Sequence, residues 1–383
     1  MKINIIGSGF AGLSAALFLS RHPLNCITLY DKFTNVQTVG AGILMQPSAM
    51  VILKKLDIYE PLVRNGEKIY KLRGTNHHGR EVFLTSYDDY AIGCFGIGIH
   101  RSLLFKSLYN KCKVKSNIKF ELGQEITSLA DLKATSDLLI VANGSHSCLR
   151  EQVPIKQSYQ LYPYGCLWTT VEDDQITPNQ LCQYMRYSQE MFGILPSGIN
   201  ENNKRIVSVF WSLPIKLKNI YCIHKVLEGM KFYLIHDNNY FIEKLSQANY
   251  SFAVYADVFM KQYDYENIIF IGDAAHGMSP QLGQGANMAF LDSYYLNKVL
   301  IENSNNITLA LKNYTTLRRQ HLKFYSQASK FLTPLYQSDQ MLYGRFRDVL
   351  FTISKQMKFS RKISSQILCG KRTSWIRNQE IEY

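Results

Sequence analysis

No apolar run in this sequence is as long as a transmembrane helix, so no membrane-spanning helix is expected. No C-x-x-C pair occurs, and the eight cysteines (Cys26, Cys94, Cys112, Cys148, Cys166, Cys182, Cys222, Cys369) are scattered. Such spacing offers neither a disulfide framework nor a zinc site, so reduced thiols and a cytoplasmic setting are expected. His77-His78 lacks a nearby third ligand and reads as part of a turn, so no metal is expected. Internal repeats, low-complexity tracts and nucleic-acid fold signatures are all missing. Acidic residues are also short: 30 Asp and Glu stand against 43 Lys and Arg, a net charge of +13. The surplus is concentrated, with 14 Lys and Arg against 5 Asp and Glu from Ile301 to Tyr383. A solvated basic helical face is the plain reading of that segment. Peripheral contact with anionic membrane is the second, through Arg361, Lys362, Lys371 and Arg372. Nucleic acid is not expected as a partner.

What is present begins at the first residues. Lys2-Ile3-Asn4-Ile5-Ile6 has the length and composition of a strand, and Gly7, Gly9 and Gly12 follow at G-x-G-x-x-G spacing. Leu13–Ser20 is rich in Ala and Leu, which are good helix formers. A second apolar run, Cys26–Tyr30, ends on Asp31, 19 residues after Gly12. Strand, tight turn, helix, strand and acid form the order a dinucleotide asks for. Gly7 permits the turn, Gly9 admits the pyrophosphate, and Gly12 lets helix pack on strand. The helix N-terminus faces the phosphates, and Asp31 can accept the ribose hydroxyls. A secretory leader is not expected, because the glycines interrupt the apolar stretch too early. Alone, this motif does not separate NAD from FAD.

At 383 residues the chain is long enough for two or three structural units. Gly40-Ala41-Gly42 reads as a backbone bend, and Gln46-Pro47-Ser48 as a helix start. Ile69–Thr75 and Glu81–Ser86 read as strands of a hairpin. Arg101 sits where a short strand meets the helix Ser102–Leu108, and Ile126–Leu129 reads as further strand. Asp137–Ala142 is a buried-type strand that ends on Asn143-Gly144. From Ser158 to about Ser251 the pattern becomes sheet-like, with strands at Tyr162–Val171, Met191–Leu195 and Ile206–Leu213. Tyr221–Leu245 is expected to be helical, and Phe346, Leu350, Ile353 and Met357 mark an amphipathic face near the end.

A second ligand-facing junction lies about 260 residues after the first. The strand Asn267–Ile271 leads into Gly272-Asp273, a Gly-rich loop through Pro280 and Gly283, and a helix from about Ala286 to Leu300. NAD does not need two such junctions, whereas FAD does. Asp273 can accept from a ribityl hydroxyl. The helix near Gly285 can aim its N-terminal N–H groups at the flavin edge that gains negative charge on reduction.

With these residues assembled, the chain resembles the single-component flavoprotein aromatic hydroxylases, the para-hydroxybenzoate hydroxylase family. The matching motifs are Gly7, Gly9, Gly12 and Asp31; Gly40 to Gln46-Pro47; His100-Arg101; and Gly272-Asp273-Ala274-Ala275-His276 with Pro280, Gly283-Gln284-Gly285 and Asn287. The family's middle motif reads Asp-Gly. Here it is Asn143-Gly144, with Ser147 and Arg150 in the usual places, so the hydrogen bonding is kept and the charge lost. The resemblance implies an α/β fold: a Rossmann-like FAD-binding domain, an inserted mainly-β substrate domain and a helical C-terminal part. The implied boundaries are 1–75, 96–155 and 256–300 for the first, 76–95 and 156–255 for the second, and 301–383 for the third. FAD contacts are implied at Gly7, Gly9, Ala11, Gly12, Asp31 and Lys32. Gln46, Arg101 and Asn143 are added by the middle of the chain. Gly272, Asp273, Pro280, Gly283, Gly285, Ala286 and Asn287 complete the set.

The implied reaction uses NAD(P)H to reduce FAD. Reduced flavin and O2 then give a C4a-hydroperoxide that hydroxylates an electron-rich small molecule, commonly aromatic. The cofactor carries that chemistry, so no catalytic triad is expected. His276 and Pro280 are the only catalytic candidates, and His276 is better read as packing at the strand end. Tyr162, Tyr164, Trp168, Phe192 and Trp211 are candidates for an aromatic substrate wall, about half of which strand alternation would turn elsewhere. A reductase of the geranylgeranyl-reductase kind, or a non-catalytic FAD-containing membrane-peripheral partner, remain as alternatives. A flavin halogenase is disfavoured, because W-x-W-x-I-P is missing.

Overall fold

Apolar strands alternating with a small-residue helix build a parallel sheet at the N-terminus. The computed structural model describes residues 1–34, 40–173, 175–176, 178–218, 239–375 and 377. Six strands lie in the spatial order Asp264–Tyr265, Ile268–Phe270, Leu138–Val141, Lys2–Ile6, Cys26–Asp31, Ile118–Leu122. All neighbours pair in parallel except the first two. The opening strand is central and buried along Ile3–Ile6. The helix Phe10–Leu19 is buried at every position, because it lies between the sheet and the helices Gly285–Glu302 and Arg101–Lys113. Small residues allow that approach. Ser14 and Ser293 hydroxyls meet at 2.7 Å, and Ser293 Oγ donates to the Ala11 carbonyl at 3.0 Å.

A second sheet has seven strands: Ser251–Met260, Gln157–Glu172, Arg205–Pro214, Glu190–Ile199, Gln180–Arg186, Lys71–Asn76 and Glu81–Ser86. It therefore takes in Lys71–Asn76, ahead of residue 76 where the sequence placed the second unit. Its edge strand Ser251–Met260 runs across the expected boundary at 255–256. Residues on its two faces have different partners. One face carries Phe192, Ile194, Val209 and Trp211, which pack with Phe241 and Leu245 of the helix Asn239–Gln247. The rest of the helix expected over Tyr221–Leu245 lies outside the described residues. Gly42–Met45, Gly96–His100 and Glu67–Ile69 form a third, three-stranded sheet. It is tied to the second where the Gly42 N–H donates to Ser208 Oγ at 2.8 Å.

Ile126–Leu129 is not a strand. The Gln152 side chain takes the place of a ladder there: its Oε1 accepts from the Leu129 N–H and its Nε2 donates to the Thr127 carbonyl. The C-terminal part is helical, with helices at Ile307–Tyr336, Met341–Ser354 and Lys358–Leu368. The seven described cysteines are free thiols.

Phe192 is fully buried and packs on Trp211 at 5.8 Å between ring centroids. Phe192→Ala leaves a cavity in the second core. A loss of about 3–5 kcal/mol of unfolding free energy is expected in denaturant titrations.

Candidate functional site

The two βα junctions meet. A Cβ built on Gly272 would lie 2.9 Å from the Ala11 side chain. Gly272 also holds φ +60°, which favours glycine. At the first junction, Gly7 turns at φ +103° against Ala142, and a Cβ on Gly12 would strike the Gly7 carbonyl oxygen at 1.9 Å. Gly9 differs, since a Cβ there would meet nothing within 4 Å. Space lies open above Gly9, at the start of a helix with no side-chain cap and no acid in its first turn. The first N–H groups there are available to an anion.

The second junction repeats this arrangement. The helix Gly285–Glu302 also begins without a side-chain cap or an early acid. Asp273 is exposed, with Oδ1 3.7 Å from where a Cβ on Gly285 would sit. Pro280 opens a short turn that ends on Gly283 at φ +60°. Gln46 is the buried residue between the parts. Its backbone N–H donates to Asn287 Oδ1 at 2.9 Å, and its Oε1 accepts from the Tyr87 hydroxyl at 2.6 Å. Asn287 Nδ2 in turn donates to the Gly283 carbonyl. Gln46 Nε2 has no partner among the described residues. It lies 4.0 Å from the Cβ position of Gly283. An orphaned buried amide costs about 1–3 kcal/mol. Beside an uncapped helix start, it fits a ligand carbonyl such as that of a flavin ring.

Arg101 reaches this region as the first residue of its helix. Its guanidinium stacks 5.0 Å above the Phe10 ring, next to Gly9. Its stem also blocks a Cβ at Gly40. Ala286 is half-buried in the first turn of the second helix. Asp31 is more committed than the sequence indicates. Its Oδ2 accepts from Ser8 N and Oγ, and its Oδ1 from Phe33 N. A carboxylate has about four acceptor positions, so most of its capacity is taken up within the chain. Lys32 is exposed and leans on Glu125 at 3.8 Å. Asn143 is exposed beside Gly7. Arg150 is buried and holds the Ala274 and Ser145 carbonyls.

His276 turns into the core. Its Nε2 meets Asp292 Oδ2 at 2.5 Å, and Asp292 Oδ2 also accepts from the Gly272 N–H. Arg318 Nε donates to Asp292 Oδ1 at 2.8 Å, and Arg318 Nη1 meets His321 Nδ1. His321 Nε2 meets the Gly370 carbonyl. Burial alone would raise the Asp292 pKa. His276 and Arg318 outweigh it and hold the carboxyl well below the usual range. Burial and the Arg318 charge push the His321 pKa down as well, so that imidazole stays neutral. Sequence reasoning named neither Asp292 nor Arg318, because acid and base are 26 residues apart in the chain.

The proposed aromatic wall divides. Phe192 and Trp211 belong to the far core of the second sheet. Tyr164, Trp168 and Phe210 share the other face, where Trp168 pairs with Phe210 and Tyr164 with Pro214. That face carries Ser208, the acceptor for Gly42, so it looks toward the bend. Tyr164 donates to Asp339 at 2.8 Å. Burial, then Asp257, pushes the Tyr162 phenol up to about 12.

A parallel sheet with two facing, uncapped βα junctions defines a flavoprotein of the FAD-holding kind. The chain belongs to the FAD-binding domain family whose model, FAD_binding_3, matches residues 1–328. It is similar to the FAD-dependent monooxygenase olcE of Penicillium canescens, at 24% identity, covering 89% of this chain and 82% of that one. The fold is shared with HpxO of Klebsiella pneumoniae, solved with FAD and uric acid, at TM-score 0.78, 18% identity and 97% of both chains. It is shared also with 2-methyl-3-hydroxypyridine-5-carboxylic acid oxygenase, at TM-score 0.75, 18% identity, and 98% and 99% of the two chains. The protein is a flavin-dependent monooxygenase, an oxidoreductase with FAD as its cofactor.

Two expectations follow from the site. Gly9→Val is accommodated by the chain itself, so the variant loses flavin, read by absorbance after desalting, while its flavin-free form melts where the flavin-free parent does. Gly12→Val strikes backbone and lowers the melting temperature of the flavin-free protein as well. Asp292→Asn leaves Arg318 buried without its counter-charge, and should cost about 3–5 kcal/mol in urea unfolding. The Asp292 pKa is depressed in the folded state. Its stabilising effect is therefore complete above the unfolded carboxylate pKa and is lost as pH falls below it. The penalty in the Asn variant should accordingly shrink on acidification when unfolding is repeated between neutral and strongly acidic pH.

Proposed function

We propose that this enzyme hydroxylates a small aromatic or similarly electron-rich molecule, with NAD(P)H as electron donor and O2 as oxygen source. The observation that carries the reading is the meeting of two uncapped helix starts beside the unpaired amide of Gln46. Bound FAD would supply the redox chemistry that links the nicotinamide donor to O2. The chain's own residues do the rest. The N–H groups after Gly9 hold the pyrophosphate, with Arg101 adding positive charge. Asp31, through its remaining acceptor capacity, and Asp273 take ribose and ribityl hydroxyls. Gln46 Nε2 and the N–H groups of Gly285, Ala286 and Asn287 face the flavin edge. They would stabilise negative charge at that edge of a bound flavin. Pro280 and Gly283 shape the loop along the ring.

Substrate sits between that loop and the near face of the second sheet, where the half-buried Trp168 and Phe210 present aromatic surface. Tyr162 stays a neutral hydrogen-bond donor at physiological pH, since its phenol is pushed up to about 12. His276 serves as a positioning residue, buried at the strand end with its Nε2 on Asp292. The enzyme works in the cytoplasm, with its C-terminal part in peripheral contact with anionic membrane.

The test is product analysis with isotopically labelled O2. Yellow, FAD-loaded protein is offered a panel of phenols and related heteroaromatics, and NAD(P)H oxidation is followed. Stimulated oxidation with one labelled oxygen atom in the product is expected. Product without that label across every turned-over substrate overturns the reading. Anaerobic turnover instead points to a reductase sharing this fold.

A further inference from the structure

The helix Met341–Ser354 turns most of its large apolar side chains outward. Gly344 and Arg347 are its buried residues. Gly344 packs against the backbone of Tyr187 and Ser188, where a Cβ would come within 2.2 Å. Arg347 donates to the Tyr187 and Leu335 carbonyls and pairs with Asp348. The outward side is apolar instead. Leu342, Phe346, Val349 and Ile353 recur at four- and three-residue steps and are 56–72% exposed. Tyr343 and Leu350 widen the stripe, and Met357 and Phe359 continue it beyond the helix. A helix in water turns its apolar stripe to the core. Inward, the helix is anchored by Gly344, Arg347 and Phe351, whose ring packs on Phe83 and Tyr336; a second apolar stripe, roughly 16 Å long at 1.5 Å per residue, faces out. Isolated exposed apolar side chains are ordinary, but a continuous stripe marks an interaction surface.

Charge identifies what covers it. From Met341 to Cys369 there are six Lys and Arg and one acid, Asp348. That acid is turned inward to Asn76 and Arg347. Arg345, Lys358 and Lys362 are exposed along the apolar side chains. A second copy of a chain carrying +13 would oppose like charge. An anionic lipid surface satisfies both features: apolar side chains enter the acyl boundary while cations meet headgroups. Among the described residues no helix is long and apolar enough to cross a membrane, so the segment lies on the surface rather than spanning it. Lys371 and Arg372, expected from the sequence as lipid contacts, are 3% and 6% exposed. Burial pushes the Lys371 ammonium down to about 8. They belong to the core and not to this face.

We infer that the outward face of Met341–Ser354, extended by Met357 and Phe359, is a docking surface that inserts into anionic lipid. The inference rests on the reading of a peripheral membrane contact and assigns its residues and mode. The test is co-sedimentation of the full-length, FAD-loaded protein with phosphatidylcholine vesicles, with and without phosphatidylserine. Binding to the phosphatidylserine vesicles is expected. Phe346→Ser with Val349→Ser should weaken it roughly tenfold or more, with flavin content and melting temperature unchanged. Arg345→Glu with Lys362→Glu should remove the preference for phosphatidylserine. No parental binding overturns both the inference and the peripheral contact. Binding that survives Phe346→Ser with Val349→Ser overturns the inference alone. A lipid-free dimer that the same pair of substitutions splits, read by light scattering, assigns the face to a second copy and also overturns it.

Discussion

The buried carboxylate of Asp292 is the constraint on which the rest of this structure depends. It sits on the long helix of the second junction and accepts from the Gly272 backbone, His276 and Arg318. Arg318 belongs to the next helix, and its partner His321 reaches the Gly370 carbonyl. One negative charge thus ties together the second junction, two helices and the end of the chain. A buried pair adds little net stability over an apolar replacement, but removing one partner is costly. Its contribution is to fix position. Gly272 is held in the left-handed region against Ala11, so the two junctions keep their spacing.

That spacing makes one long site out of two short motifs. Gly9 leaves space above an uncapped helix start, and Gln46 leaves an amide without a partner beside another. Neither observation alone specifies a ligand. Together, at adjoining strand ends, they describe a ligand with a phosphate-bearing end and a polar ring. The three-stranded sheet carries Gln46 into place. Its link from Gly42 to Ser208 brings the near face of the seven-stranded sheet over the same region.

Each segment was as legible as its signal was local. The glycine spacing, the opening strand, the Gly-Asp loop and the helix after it are set by backbone sterics within about thirty residues. All of them appear where the sequence puts them. Ile126–Leu129 has strand-like residues, but one side chain from Gln152 satisfies its backbone instead. The aromatic wall was half visible. Alternation says that neighbours point apart, yet not which face meets the helix Asn239–Gln247 and which meets the bend. Polar side chains such as Asp31 gave the least away, since Ser8 and Phe33 claim its oxygens only through the turn geometry.

The sequence by itself determined the parallel sheet, the pair of junctions and the FAD class. These follow from the spacing of the glycines at the two junctions, from apolar runs of strand length, and from the resemblance those motifs carry. Only the tertiary structure decided that His276 faces Asp292, that Phe192 and Trp211 line a remote core, and that Lys371 and Arg372 are buried. It also decided that Phe346, Leu350 and Ile353 face outward. Periodicity fixes which residues share a stripe. Which side of the helix meets the body depends on what the body offers, and here the Tyr187 backbone takes Gly344 and Arg347.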